Sequence, residues 1–254
     1  MGKESSLNRM LSVLAAFTEE KTSITREEVA QLTGGSRATS YRYLQNLCEA
    51  GLLSSASENT YVPGPRIMEL DRLIRLHDPV LSAARGPMVE ASERLGLNVM
   101  LCSYFGRRVV CSEILTPDGD SPSSYERGRT MPLLRGAMAK IIIAHLPHPR
   151  LKAIYAENAE TLRAAGEAAD WSGFRTAMNA LKENGYAVTC GEVYEGVTGY
   201  AAPVFDANGK ICGSIVFMLG AKRRTASDET RVISEIIELG RLISSRLAEN
   251  ARGM

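Results

Sequence analysis

The chain has almost no net charge: 30 Lys and Arg against 29 Asp and Glu over 254 residues leave a formal +1. That balance excludes a protein that grips polyanions by bulk electrostatics. Long apolar runs are also missing. No uninterrupted run exceeds five residues, and the one around 141–144 has four, far short of the ~20 residues a membrane span needs, so no membrane partner is expected. Cysteine is sparse and irregular: Cys48, Cys102, Cys111, Cys190 and Cys212 are odd in number and never spaced CxxC. Buried small hydrophobes are favoured over zinc ligands, and with no secretory signal the expectation is reduced thiols in the cytoplasm. His77, His145 and His148 show no metal-ligand spacing, and neither a GxSxG elbow nor a phosphate-cradling glycine motif occurs. No catalytic residue, metal or cofactor is therefore expected. The 44% hydrophobic and 23% charged content is that of an ordinary globular chain, long enough for one small and one larger domain.

What is present centres on residues 36–53, SRATSYRYLQNLCEAGLL. Thr33, Gly34 and Gly35 break the preceding segment, and Ser36 is a good N-cap. Tyr41, Leu44 and Leu47, with Cys48, recur at three- and four-residue spacing as one apolar stripe, and Gly51 stands where a left-handed C-cap is needed. The opposite face is expected to carry Arg37, Thr39, Ser40, Arg42 and Tyr43. These forked cations and hydroxyls suit a helix whose N-terminal half enters a major groove. Arg37 and Arg42 are the candidate base or phosphate readers, with Ser36, Thr39, Ser40, Tyr43 and Arg66 as candidate phosphate positioners.

The surroundings strengthen that reading. Apolar residues at 7, 10, 11, 14 and 17 predict a first helix, and Thr25 with Glu28 forms a capping-box pattern opening a second. Two short helices joined by a glycine turn make a helix-turn-helix. Residues 52–54 and 60–62 predict a hairpin, the wing of a winged helix, stopped by Pro63-Gly64-Pro65. Through Arg66, seven basic and seven acidic residues cancel, so DNA affinity must come from local placement and from more than one copy. A short helix with Ile67, Leu70, Leu73 and Ile74 follows as a linker, then a helix over 80–95 containing Pro87.

From Asn98 the pattern changes. Strands are predicted at 99–104, 109–115, 186–190, 197–205 and 210–219, the last pair joined by Asp206-Ala207-Asn208-Gly209. Helices are predicted over 136–146, from Asp170 to Gly185, and over 228–248, and a loop over 116–129. An antiparallel sheet with helices mostly on one face makes this an α+β sensor-type domain. The expected layout is 1–65 winged helix, 66–78 linker helix and 79–254 effector domain.

This order resembles the IclR family of bacterial transcriptional regulators over nearly the whole chain. The matching stretches are residues 7–14 (LNRMLSVL), 36–53, and 128–146 with Pro132, Gly136 and Lys140. Glu192 and Gly196 follow, then the run Ala201-Ala202-Pro203-Val204-Phe205-Asp206 with Gly209. The resemblance implies a DNA-binding winged helix and a GAF-like effector domain. It further implies dimers joined through the DNA-binding half and often paired as dimers of dimers on an operator. Positions that contact small ligands in the family correspond here to Ala137, Met138, Thr189, Gly199, Val216 and Met218, with Leu134 beside them. Two departures matter. The helix after Pro132 reads Leu133-Leu134-Arg135-Gly136-Ala137-Met138-Ala139 rather than a small-residue run before Lys140. The ligand positions are also mostly apolar where relatives that bind keto acids place a carboxylate, a thiol and serines.

An apolar wall desolvates a ring or chain but offers a carboxylate few partners, so an aromatic or partly apolar acid is the expected effector. Arg127, Arg129 and Arg135 are candidates for meeting its carboxylate, with a solvated surface equally open. Glu192 and Glu195 flank a glycine-rich loop (Gly191, Gly196, Gly199) that suits a mobile cover better than a catalytic pair. The expectation is a ligand-responsive regulator of a catabolic operon, bound to a palindromic double-stranded operator. The competing expectation is a metabolite-binding protein or enzyme with an appended helical domain.

Overall fold

Hydrophobic periodicity and caps decide most of the first fold unit. The computed structural model describes residues 5–117, 125–220 and 226–253, divided into two units, Met1–Asp78 and Pro79–Met254. Of the loop predicted over 116–129, residues 118–124 lie outside the described residues.

In the first unit, α1 (Ser6–Ser12) starts at Ser5, whose side chain accepts from the Asn8 amide, and runs into a 3-10 turn, Val13–Ala16. β1 (Ile24–Thr25) leads into α2 (Arg26–Thr33), where both capping-box bonds between Thr25 and Glu28 form. Gly34, at φ 61°, ends α2. α3 (Arg37–Glu49) starts on the Ser36 hydroxyl. It ends with the Gly51 amide donating to the Cys48 carbonyl and the Leu52 amide to the Leu47 carbonyl. This six-to-one, five-to-two closure needs the left-handed residue that Gly51 supplies at φ 70°.

β2 (Leu53–Ser57) and β3 (Thr60–Pro63) form the wing, and β1 pairs with β3, giving the order β1-β3-β2. Val13, Ile24, Val29, Leu44, Leu47, Leu53 and Tyr61 close one small core. A Cβ on Gly64 would collide with the Gly51 carbonyl, so the chain can leave the wing at that angle only with glycine. α4 (Arg66–His77) follows, and none of its residues is buried.

The second unit begins with α5 (Pro79–Leu95), which contains Pro87. Then come β4 (Asn98–Phe105), β5 (Arg108–Leu115), β6 (Thr130–Met131) and α6 (Ala137–Ala144). α7 (His148–Ala164) and α8 (Trp171–Asn184) precede β7 (Ala187–Cys190), β8 (Val197–Phe205), β9 (Ile211–Gly220) and α9 (Ala226–Arg252). The strands make one antiparallel sheet in the order β6-β5-β4-β9-β8-β7. The β8–β9 connection closes as expected, with the Asn208 and Lys210 amides donating to the Asp206 carboxylate.

Period-two alternation sends Val99, Leu101, Ile215 and Phe217 to one face of the sheet and Met100, Cys102, Val216 and Met218 to the other. The first face is covered by α5 and α9, while α6 covers the second. Helices therefore lie on both faces, a correction to the expectation of one. The reason is that the central strands are apolar at consecutive positions, which is the pattern of strands covered on both sides. α7 was not expected at all. Behind α6, α7 and α8 enclose a third cluster containing Ile154, Leu162, Phe174 and Met178.

Candidate nucleic-acid interface and effector wall

The reading face is set by the phase of the buried stripe on α3. That stripe is Ser40, Tyr43, Leu44 and Leu47, an i, i+3, i+4, i+7 series. It is rotated by one residue from the expected one. Ser40 is 1% exposed and donates to the Ser36 carbonyl. Tyr43 is 3% exposed and its hydroxyl pairs with that of Ser6 at 2.8 Å. Neither lies on the outer surface, so both expected contacts are corrected: these residues hold α3 against α1 and its own first turn. Tyr41, expected inside, is instead 49% exposed.

The outward stripe is Ala38, Tyr41, Arg42 and Gln45, flanked by exposed Arg37 and Ser36 and half-exposed Thr39. Tyr41 and Gln45 were missed because a tyrosine satisfies either side of an amphipathic count; the clean series starting at Ser40 was the available signal. Arg66 stands at the first position of α4 and ion-pairs with Glu69.

In the second unit, a polar-capped apolar wall forms where α6 meets β7, β8 and β9. Thr189 pairs with Gly199 and Gly199 with Met218; Ala201 pairs with Val216 and Val216 with Met100. A Cβ on Gly199 would sit 3.7 Å from the Ala137 Cβ, 3.8 Å from Val216 and 3.9 Å from the Thr189 hydroxyl. Ala137, Thr189, Gly199 and Val216 thus share one neighbourhood, with Met138 and Met218 in the same cluster. Leu134 does not join it. It packs among the α7 and α8 side chains, whereas Leu133 touches both clusters; Leu134 is corrected on that ground.

Two amides open α6: Gly136 donates to the Glu192 carboxylate at 2.8 Å and Ala137 to the Thr189 hydroxyl at 2.9 Å. Lys140 reaches the same Glu192 at 2.7 Å and Glu167 at 3.2 Å. The glycine-rich stretch carrying Glu192 is thereby tied to α6. Two aromatic residues that the sequence reading missed complete the wall. Tyr125 and Tyr194 meet edge-on at 4.6 Å, and the Arg129 guanidinium lies 5.8 Å from the Tyr194 ring. The Arg127 guanidinium donates to the Ser112 carbonyl and Arg135 is exposed. No local signal marked Tyr125 and Tyr194, since each stands in an irregular stretch.

Groups with catalytic potential are engaged structurally. Ser214 donates to the Met138 carbonyl and Ser112 to Ser103. His145 bonds to the Ile141 carbonyl, and His148 packs on Trp171. Burial pushes the Cys111 thiol up to about 12 and holds the Cys102 thiol well above its ordinary value, which disfavours the reactive thiolate form of both. Among the described residues no group of three or more His, Cys, Asp or Glu is placed to hold a metal ion, and no helix is long and apolar enough to cross a membrane.

A helix-turn-helix unit with a polar outward stripe, followed by a unit with a capped apolar wall, defines a transcription factor that joins DNA binding to small-molecule sensing. The family description "Bacterial transcriptional regulator IclR C-terminal" matches residues 76–245, and "IclR helix-turn-helix domain" matches residues 6–56. The chain belongs to the IclR family of transcriptional regulators and is not an enzyme.

Among its relatives, the HTH-type transcriptional regulator XynR of Escherichia coli is 25% identical over 211 residues, covering 83% of this chain and 84% of that one. KipR of Bacillus subtilis is 23% identical, covering 96% and 97%. A solved IclR-type regulator from Silicibacter superimposes with a TM-score of 0.83 at 21% identity, over 96% of both chains. An IclR homologue from Microbacterium hydrocarbonoxydans, solved in complex with 4-hydroxybenzoate, gives 0.70 at 18% identity over 96% and 99%.

Proposed function

We propose that this regulator controls a catabolic operon in response to an aromatic or partly apolar acid, acting as a dimer or dimer of dimers on a palindromic operator. In this reading residues 1–65 bind DNA, 66–78 link and 79–254 sense. Ser36, Arg37, Thr39 and Arg42, joined by Tyr41 and Gln45, face the duplex, while Arg66, against Gly51 at the C-terminal end of α3, is an outlying phosphate contact. Ser40 and Tyr43 support them from within. The charge balance through Arg66 is zero, so one copy lacks the cationic surface for tight binding. Pairing of two copies supplies it, placing two α3 helices in successive major grooves about one turn, or a multiple of one turn, apart. Exposed Leu7 and Leu11 on α1 and Ile67, Leu70, Leu73 and Ile74 on α4 supply the apolar surface for that pairing.

The observation that carries the effector class is the wall itself. Ala137, Gly199, Val216 and Met218 are apolar, the Tyr125–Tyr194 pair adds ring surface, and Arg129 adds a cation beside it. The 4-hydroxybenzoate complex of the Microbacterium homologue supports the same class. An effector bound there changes DNA affinity only by as much as it discriminates between the DNA-competent and incompetent arrangements.

Isothermal titration with 4-hydroxybenzoate and with pyruvate tests the class. The expected result is heat from the aromatic acid alone, abolished in Met218→Asp. Tighter binding of pyruvate, or an unchanged response in folded Met218→Asp, overturns it. Mobility shifts on the DNA upstream of the gene, lost in Arg42→Ala, test the reading face.

A further inference from the structure

The wing of the first unit is a short ribbon, and its register shifts between Ser55 and Ser57 just before the tip. β1 pairs with β3 only at Tyr61 and Thr60, so the tip beyond them has no third strand, and a two-stranded ribbon is marginal by itself. Here the tip is tied twice to the start of α2. The Arg26 guanidinium donates through Nη2 to the Glu58 carbonyl at 2.8 Å, and the Asn59 amide donates to the Glu27 carboxylate at 2.7 Å. Arg26 also donates through Nε to the Tyr61 hydroxyl at 3.1 Å, and its Cζ lies 5.3 Å from the centroid of the Tyr41 ring. One side chain thus joins the first turn of α2, both the tip and β3 of the wing, and the exposed ring on the outward stripe of α3.

A guanidinium suits this task because its donors form a rigid plane whose face stacks on a ring, and because it stays charged at every relevant pH. A lysine would offer one flexible point charge instead. The charge pattern argues against a phosphate seat at the same spot. The depression of about 520 Å³ between α2 and α3 is lined by Arg26, Glu27, Ala30, Arg37 and Tyr41. The Glu27 carboxylate in it repels a phosphate, and the Arg26 donors described above are directed at protein acceptors.

We propose that Arg26 is a positioning residue for operator recognition, locking the wing tip and Tyr41 so that wing and α3 meet the duplex at one fixed spacing. Tyr41 then presents its edge and hydroxyl to a base, beside Arg42. This rests on the DNA-reading face described above, and the Arg42→Ala variant serves as the test of that face.

The full-length chain is used to select duplexes from a random-sequence pool, and affinity for the winning duplex is followed as a function of salt. In Arg26→Ala the expected affinity loss is about tenfold, the scale of one base pair of discrimination, with an unchanged salt slope. Base preference relaxes only at the pairs facing Tyr41 and the wing, the melting temperature is preserved, and Arg26→Lys does not restore the preference. Arg42→Ala by contrast lowers the salt slope by about one if it meets phosphate, or relaxes one base pair if it reads an edge.

A slope reduced by about one in Arg26→Ala with uniform base preference overturns the proposal in favour of a direct phosphate contact. So does unchanged binding, or an affinity loss that tracks a lowered melting temperature and is rescued by lysine. If the unaltered chain selects no duplex, or Arg42→Ala leaves binding untouched, the reading face is what fails, and the role of Arg26 falls with it.

Discussion

Two short helices, α4 and α6, show how apolar residues at helical spacing can end exposed in one place and covered in another. α4 carries Ile67, Leu70, Leu73, Ile74 and Leu76, yet every one is exposed and no residue of the helix is buried. In α6 seven residues are buried: Ala137, Met138, Ala139, Ile141, Ile142, Ile143 and Ala144. The sheet lies under one side of α6, and the α7–α8 cluster reaches Ile143 and Ala144 on the other. Hydrophobic residues at helical spacing say only that a face wants to leave water. Whether the same chain provides the cover is a matter of topology. In α6 it does; for α4 the proposal assigns that role to a second copy.

The largest effect that tests this contrast is a cavity in α6. Ile142→Ala should destabilise the folded chain by ~2–5 kcal/mol, as deletion of a fully buried branched side chain does, read by chemical denaturation. The matching change in α4, Ile74→Ala, should alter the stability of a dilute chain by no more than ~0.5 kcal/mol. It should instead shift the assembly toward monomer in sedimentation. Equal destabilisation by the two changes would erase the distinction.

Next in size is the reading face. Arg42→Ala should weaken operator binding by ~1–3 kcal/mol, measured by titration at fixed salt. Tyr43→Phe sharpens the correction made on α3. Loss of the hydroxyl bond to Ser6 should cost ~0.5–1.5 kcal/mol of stability while leaving base preference unchanged. A changed base preference would return Tyr43 to the outer surface.

Gly199→Ala should fold normally, since the added Cβ meets its neighbours only at ordinary contact distance. It should still weaken the aromatic acid in calorimetry, because it fills space at the wall.

The smallest effect is a pH dependence. Burial holds the His145 imidazole below its ordinary 6.5, with Lys182 adding to the shift against the opposing bond to the Ile141 carbonyl. The unfolded ring therefore takes up its proton at a higher pH than the folded ring. The contribution to stability is complete above about 6.5 and drains as pH falls through that value toward the lowered one. Melting curves between neutral and mildly acidic pH should show a loss in the native chain that His145→Phe reduces.

Much of the fold was legible because local chemistry left signatures. Ser36, the Thr25–Glu28 box, Gly51 and the Asp206–Gly209 turn each satisfy backbone groups within a few residues, so short-range sequence is enough to find them. β1 escaped notice because two residues carry no period. α7 escaped because only Leu151, Ile154 and Leu162 are buried along its 17 residues, which is too thin a stripe to count. Pro147 before it and Pro149 in its first turn were the usable signals. The rotation of α3 by one residue misassigned Ser40, Tyr41 and Tyr43 together, since a phase error moves every neighbour at once. Leu134 and Leu133 are adjacent and equally apolar, so only the position of α7 and α8 tells which of them faces which cluster.

By itself the sequence determined where α2, α3 and α8 start and stop, the β8–β9 hairpin, and the zero charge balance through Arg66. These follow from caps, turns and charge, all of which act over a few residues or by simple summation. Only the tertiary structure decided which side of α3 is outward, that the sheet is covered on both faces, and that Tyr125, Tyr194 and Arg129 join a wall built by Ala137, Gly199, Val216 and Met218. Those outcomes depend on side chains far apart in the chain competing for the same space, and no local pattern records who wins.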